Sequence, residues 1–306
     1  MKHSVQDIVS LHLSSINPED FFLLLSCASR KSKEYLIAHP EHRISEVSYR
    51  TLVSLIQRRI NHEPIALITG HKEFYGFNFS VNQTTLVPRP ETESLVELAL
   101  KDLDHHTQHL SSQHAHIPQK PLALIDVGTG SGNILLSILK TIEKKLLSTK
   151  FSCFGLDISR EAITLAKKNA HSLHPLIRAR FLQSDLLQAI PVRTFRRFAS
   201  VHILANLPYL KKEIYQRCPP DVKEYEPESA LLSEAQGCAH IERLLGEIAV
   251  LHSIFPDLPF NIWLEISPEQ ATLLPKRIRR LLPASRFDFQ KDITQKYRFV
   301  HITLHA

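Results

Sequence analysis

Three glycines within five residues, Gly128, Gly130 and Gly132, constrain this chain more than any other feature, because its 306 residues hold only eight. Glycine gathers where the backbone must take positive φ or approach something closely. Before the cluster, Leu122-Ala123-Leu124-Ile125 is a short apolar run of the kind buried in a parallel sheet; after it, Ile134, Leu135, Ile138 and Leu139 recur at helical spacing. Strand, glycine turn and helix in succession open a doubly wound α/β sheet. The spacing is G-x-G-x-G. A dinucleotide turn needs G-x-G-x-x-G, and Asn133 stands where its last glycine would fall, so a nucleoside without a pyrophosphate suits this loop better.

Later apolar runs also end in residues with chemistry to offer. Phe151 to Leu156 leads to Asp157, placed to grip a pair of ribose hydroxyls, and Arg180-Phe181-Leu182-Gln183-Ser184 leads to Asp185, placed to accept from an adenine amino group. Val201-His202-Ile203-Leu204-Ala205 leads to Asn206-Leu207-Pro208-Tyr209. In open α/β sheets ligands bind outside the carboxyl ends of the strands, where all of these residues would sit. The Asn206 side-chain oxygen and the Leu207 carbonyl can accept both hydrogens of a planar NH2. Pro208 donates nothing and stiffens the turn, and the Tyr209 ring can lie against a flat substrate. Amide and exocyclic ring nitrogens are poor nucleophiles because their lone pair is delocalised, and holding both N–H bonds aims that pair at an electrophile. The combination reads as an S-adenosylmethionine site facing an amine acceptor.

Residues 1 to about 70 have a helical pattern. Asn17-Pro18-Glu19-Asp20 is a helix start, and Leu52, Ile56 and Ile60 recur every four residues in a helix expected over Ser45 to Ile60. No catalytic constellation lies here, which suggests a small bundle that recognises a partner. Phe77-Asn78-Phe79-Ser80-Val81 alternates as a strand or hairpin would, then leads to Pro88-Arg89-Pro90-Glu91-Thr92-Glu93 and a helix carrying Leu95, Val96, Leu98 and Ala99. The expected divisions are a helical domain over 1–72, a hairpin linker over 73–90 and a catalytic domain over 91–306. Asp104 to Lys120, with His105, His106, His109, His114 and His116, reads as a flexible loop rather than a metal site. Further helices are expected from Ser159, over 239–255 and from Ser267, around a strand Phe260 to Ile266. Alternation in Arg286-Phe287-Asp288-Phe289 and from Tyr297 to Ile302 predicts a closing antiparallel hairpin. The whole argues a mostly parallel three-layer α/β sheet with one reversed strand.

Composition narrows the class further. No apolar stretch approaches a membrane span, and Lys2, His3 and Asp7 leave no signal-peptide pattern, so a cytoplasmic protein is expected. Cys27, Cys153, Cys218 and Cys238 have no C-x-x-C spacing and read as reduced thiols; no metal site is expected. With 37 basic and 31 acidic residues the charge is a mild +6, and pairs such as Arg196-Arg197 and Lys211-Lys212 read as solvated faces, so no stable nucleic-acid partner is expected.

On these residues the chain resembles the release-factor glutamine N5-methyltransferases, the PrmC/HemK type. The likeness runs from about Arg58 through Glu63-Pro64-Ile65-Ala66 and Thr69-Gly70 to Phe74-Tyr75-Gly76. It continues in Leu86-Val87-Pro88-Arg89-Pro90-Glu91-Thr92-Glu93, the most specific stretch, and in Tyr225-Glu226-Pro227, Ala230-Leu231 and Gly237. The resemblance implies a Rossmann-like class I S-adenosylmethionine-dependent methyltransferase domain with a terminal antiparallel hairpin, preceded by a small helical bundle. It implies methylation of the glutamine in the Gly-Gly-Gln motif of class I peptide chain release factors; a monomer is expected. Carried over, the cofactor set is Gly128, Thr129, Gly130, Ser131, Gly132, Asp157, Asp185, Leu186 and Asn206. The catalytic set is Asn206, Leu207, Pro208 and Tyr209. Leu207 stands where the family usually has proline, and Leu186 where it often has an aromatic residue. Asn-Leu-Pro-Tyr is the usual form in rRNA adenine N6-methyltransferases, the alternative reading. Those enzymes resemble the chain less elsewhere, carrying their extra helical domain last and usually a Glu where Asp126 stands.

Overall fold

The computed structural model describes residues 3–113, 120–143 and 150–305, with side chains for all of these except 106–113. The chain forms two compact units, one of residues 1–71 with 219–225, the other of 72–218 with 226–306.

The first unit is helical. A two-residue strand β1 (His3–Ser4) pairs antiparallel with β2 (Arg43–Ile44), a ladder too short to leave a sequence pattern. Around it lie α1 (Val5–His12), α2 (Pro18–Ser29), α3 (Lys33–Ala38), α4 (Glu46–Ile60) and α5 (Ile65–Thr69). Side-chain caps set the starts: Asn17 accepts from the Glu19 N–H, and Ser45 from the Ser48 N–H. Phe21, Leu24 and Leu25 of α2 pack with Leu52 and Ile56 of α4, and the Arg59–Asp20 ion pair at 2.7 Å joins the same two helices. From the later segment, the Tyr225 hydroxyl donates to the Asn61 carbonyl at 2.7 Å.

After the first unit come the hairpin β3 (His71–Phe74) and β4 (Phe77–Ser80) and the long helix α6 (Glu93–Gln113). The helix continues through Asp104 to Gln113, where the sequence reading expected a loop. The side chains of His106 and His109, and all of His114 and His116, lie outside the described residues. Then come β5 (Leu122–Val127), α7 (Asn133–Ile142), β6 (Phe151–Asp157), α8 (Arg160–Leu173), β7 (Ala179–Gln183) and β8 (Ser200–Ala205). Two short helices, α9 (Lys212–Tyr215) and, in the first unit, α10 (Pro220–Lys223), precede α11 (Ala239–Ile254), β9 (Phe260–Glu265), α12 (Gln270–Leu281), β10 (Arg286–Lys291) and β11 (Tyr297–Leu304).

Seven strands form one sheet in the order β10-β11-β9-β8-β5-β6-β7. β5 to β9 pair in parallel, and β11 runs antiparallel to both its neighbours, so it is the one reversed strand. Alternate residues feed two cores. Ala123, Ile125, Val201 and Ile203 face the layer of α11 and α12, while Leu124 and Leu204 face that of α6, α7 and α8. Strand order reverses between β5 and β8, which makes their carboxyl ends the place for a ligand.

Candidate active site

The register pairs Val127 of β5 with Ala205 of β8, so the glycine loop and the Asn206 turn leave the sheet side by side. Gly128 lies against Asn206 and Leu207; a Cβ there would stand 3.1 Å from Leu207 Cδ2. The buried Leu207 side chain therefore packs on the loop, a contact that a proline at this position would not reproduce. An open cleft covers these strand ends. Gly128, Thr129, Gly130 and Ser131 line it, as do Asp157, Asp185 and Leu186 and, from the last motif, Asn206, Leu207 and Pro208.

Gly132 and Tyr209 do not line the cleft, and each has a different task. Gly132 caps α7 at φ 81°, and a Cβ there would meet Leu136 at 3.1 Å and Ala166 at 3.3 Å, so it lets α7 and α8 pack closely. Tyr209 sits just past the cleft lining; burial pushes its hydroxyl up to about 12, with the nearby Glu265 adding to the effect.

The loop is fixed from behind. Asp126 is fully buried and accepts from Thr129 Oγ1 at 2.6 Å, and burial raises its carboxyl to about 7. Asn169 of α8 donates to the carbonyls of Ser131 and Ser80 and accepts from the Ser80 N–H, all within 3.0 Å, joining loop and hairpin. Asp157 accepts from Gly130 N and Ser159 N, both at 2.9 Å, one on each oxygen. The Ile158 N–H adds a third backbone hydrogen bond, and with about four lone-pair sites on a carboxylate Asp157 keeps some acceptor capacity. Burial raises its pKa, and these backbone N–H groups oppose the rise.

Two families match parts of the sequence: one described as the PrmC N-terminal domain, over residues 12–70, and one described as a methyltransferase domain, over 118–218. The release factor glutamine methyltransferase of Pasteurella multocida is 35% identical over 228 residues, 74% of this chain and 72% of its own. The chain belongs to the release factor glutamine methyltransferase family. The Enterococcus faecalis protein of that name is 28% identical over 262 residues, 86% of this chain and 83% of its own, and the one from Coxiella burnetii is 32% identical over 230 residues, 74% and 72%.

Several contacts that shape the cleft of this methyltransferase were not legible in the sequence. Asp185 does not stand free: Arg243 of α11 donates to it at 2.6 Å, which raises the Arg243 pKa, and both line the cleft. His240, one helical turn earlier on α11, also lines it and is held below its ordinary pKa, chiefly by burial. Arg89 also lines the cleft and donates to the buried Glu226 at 2.5 Å, while Val87 N donates to the other Glu226 oxygen at 3.0 Å. The family segments around Arg89 and Glu226 marked both residues without showing that they meet. Glu265, the last residue of β9, has 2% of its surface exposed and carries hydrogen bonds from Thr92 and Asn206. Burial lifts its carboxyl to about 7 against the charge of Arg298. Only the three-dimensional register brings it to Asn206.

Among the described residues no group of three or more His, Cys, Asp or Glu side chains is arranged to hold a metal ion. No described helix is long and apolar enough to cross a membrane.

Proposed function

We propose that this cleft binds S-adenosylmethionine and that the protein methylates the side-chain amide nitrogen, N5, of the glutamine in the Gly-Gly-Gln motif of class I peptide chain release factors. One observation carries the reading. Asn206, an amide with an oxygen to offer, leaves β8 directly beside the glycine loop that leaves β5, at the point where strand order reverses. The relatives' shared name supports the choice of substrate.

The residues present fit the cofactor. Asp157 has acceptor capacity left for a ribose hydroxyl, and Gly128 lets the loop pack against Leu207 beside it. The Asp185 carboxylate stays at the cleft wall to accept from an adenine amine, with the Leu186 side chain supplying aliphatic packing. Bound there, S-adenosylmethionine supplies an electrophilic methyl group. Asn206 Oδ1 and the Leu207 carbonyl accept the two amide hydrogens of the substrate, orient its nitrogen and stabilise the positive charge that grows on it. Pro208 keeps the turn rigid, and Tyr209 packs beyond it and helps exclude water. The amide proton leaves after transfer, when the nitrogen is far more acidic, so no dedicated base is required. The helical unit is assigned to docking the release factor.

Asn206→Ala tests the clamp. Removing one preorganised hydrogen-bonding group should lower kcat about 10²–10³-fold and leave cofactor affinity nearly unchanged. Labelled cofactor offered with release factor and, separately, with rRNA measures both rate and substrate choice. Transfer to rRNA alone, or an Asn206→Ala variant at the wild-type rate, would overturn the reading.

A further inference from the structure

An asparagine amide can face a substrate with its oxygen or with its NH2, two ends of nearly the same shape. If Asn206 clamps the substrate amide, as proposed above, something must decide which end faces the cleft. The register supplies a candidate. Ala205 of β8 pairs with Leu264 of β9, so the next residue of each strand, Asn206 and Glu265, stand alongside one another. Asn206 Nδ2 donates to Thr92 Oγ1 at 3.2 Å, and the Glu265 carboxyl accepts from both Asn206 and Thr92. Thr92 and Glu265 are each 2% exposed, and Glu265 Oε2 is buried with no hydrogen-bond partner. A carboxyl group with one oxygen unpaired is an expensive way to fill a core position, and an apolar side chain of similar volume would be cheaper.

We propose that Glu265 is a positioning residue for methyl transfer: with Thr92 it holds the NH2 end of Asn206, so that Oδ1 faces the substrate amide. Ionised, or with its proton on the unpartnered Oε2, the carboxyl fixes the polarity of the chain. The Thr92 hydroxyl gives its hydrogen to the carboxyl and takes one from Asn206 Nδ2, and the accepting carboxyl oxygen takes the other. Turning the Asn206 amide over would set its oxygen against two acceptors, and would present two donors to a substrate that itself has two hydrogens to give.

The test compares wild type, Glu265→Leu, Glu265→Gln, Asn206→Ala and the Asn206→Ala/Glu265→Leu double variant on an intact release factor, with cofactor affinity measured by calorimetry. Glu265→Leu should lower kcat about tenfold or more with the cofactor Kd within about twofold of wild type. Glu265→Gln, which keeps an acceptor oxygen of the same reach, should recover most of that loss. In the Asn206→Ala background Glu265→Leu should cost almost nothing further, because the group it positions is gone. If Glu265→Leu does not fold, Thr92→Val carries the same comparison, with the same expected loss and the same silence in Asn206→Ala. Wild-type kcat in the leucine variant, equal losses with leucine and glutamine, or additive losses in the double variant would each overturn the inference. Wild type inactive on release factor would overturn the functional reading and this inference with it; active wild type with an indifferent Glu265 overturns the inference alone.

Discussion

Each oxygen of the Asp157 carboxylate already accepts one backbone N–H, from Gly130 and Ser159, which makes this residue a hub between the loop after β5 and the start of α8. A ligand hydroxyl that takes the remaining acceptor capacity meets a carboxylate whose position is set before binding. Charge-assisted hydrogen bonds of this kind contribute roughly 1.5–3 kcal/mol each. Asp157→Ala should therefore weaken S-adenosylmethionine binding by at least about tenfold, and calorimetry showing unchanged affinity would remove the assignment. Asp185 differs physically from Asp157. It is partly exposed and already paired with Arg243, so part of its charge is spent before any ligand arrives. The sequence marks both acids by the same sign, an acidic residue after an apolar run. It does not show the Arg243 pair, because α11 meets Asp185 from 58 residues away.

At the level of elements, the turn after β8 is held by a neighbour the sequence hardly advertises. Leu210 N donates to the Leu231 carbonyl at 2.8 Å and Ser233 N to the Leu210 carbonyl at 2.9 Å, so residues 231–233 run beside the motif as a strand would. Ala235, Gln236 and Gly237 then take φ of 52°, 63° and 86°, three successive left-handed residues. A Cβ on Gly237 would lie 2.2 Å from the Tyr209 carbonyl oxygen, and the buried Gln270 pins the Gly237 carbonyl at 2.6 Å. Gly237→Ala should cost stability on the order of 1–3 kcal/mol and lower kcat by displacing Tyr209. Thermal unfolding and turnover measured together check it, and wild-type values for both would mean that the turn does not place Tyr209. The elements that were legible, from β5 through β8, announce themselves locally as a short apolar run followed by polar groups. The extension of α6 does not. His, Ser and Gln from Asp104 onward read as loop, yet no Gly or Pro interrupts them before Pro118. A helix nucleated by the buried Leu95, Val96, Ala99 and Leu103 therefore propagates as far as Gln113 at little cost.

Across the whole molecule, the sheet carries two buried carboxyl groups behind its ligand face, Asp126 under the glycine loop and Glu265 beside Asn206. Both are raised to about 7, mainly by burial. The sign of the resulting pH dependence follows from proton counting. Unfolded, these groups lose their protons near pH 4; folded, they keep them to about 7. Between those limits the folded state binds more protons, so stability falls as pH rises, by about 1.4 kcal/mol per pH unit for each group, and levels off once both are ionised. Such a cost persists where the carboxyl serves the site. Asp126 holds Thr129 of the loop through a 2.6 Å hydrogen bond that an amide oxygen could also accept. Asp126→Asn should accordingly gain stability over wild type, by an amount that grows from about pH 4 to about pH 7 and is constant above. Urea unfolding across that range reads the difference directly. Parallel curves for the two proteins would show that Asp126 ionises in the fold as easily as in the unfolded chain, and that burial of the loop's anchor is not what limits stability near neutral pH.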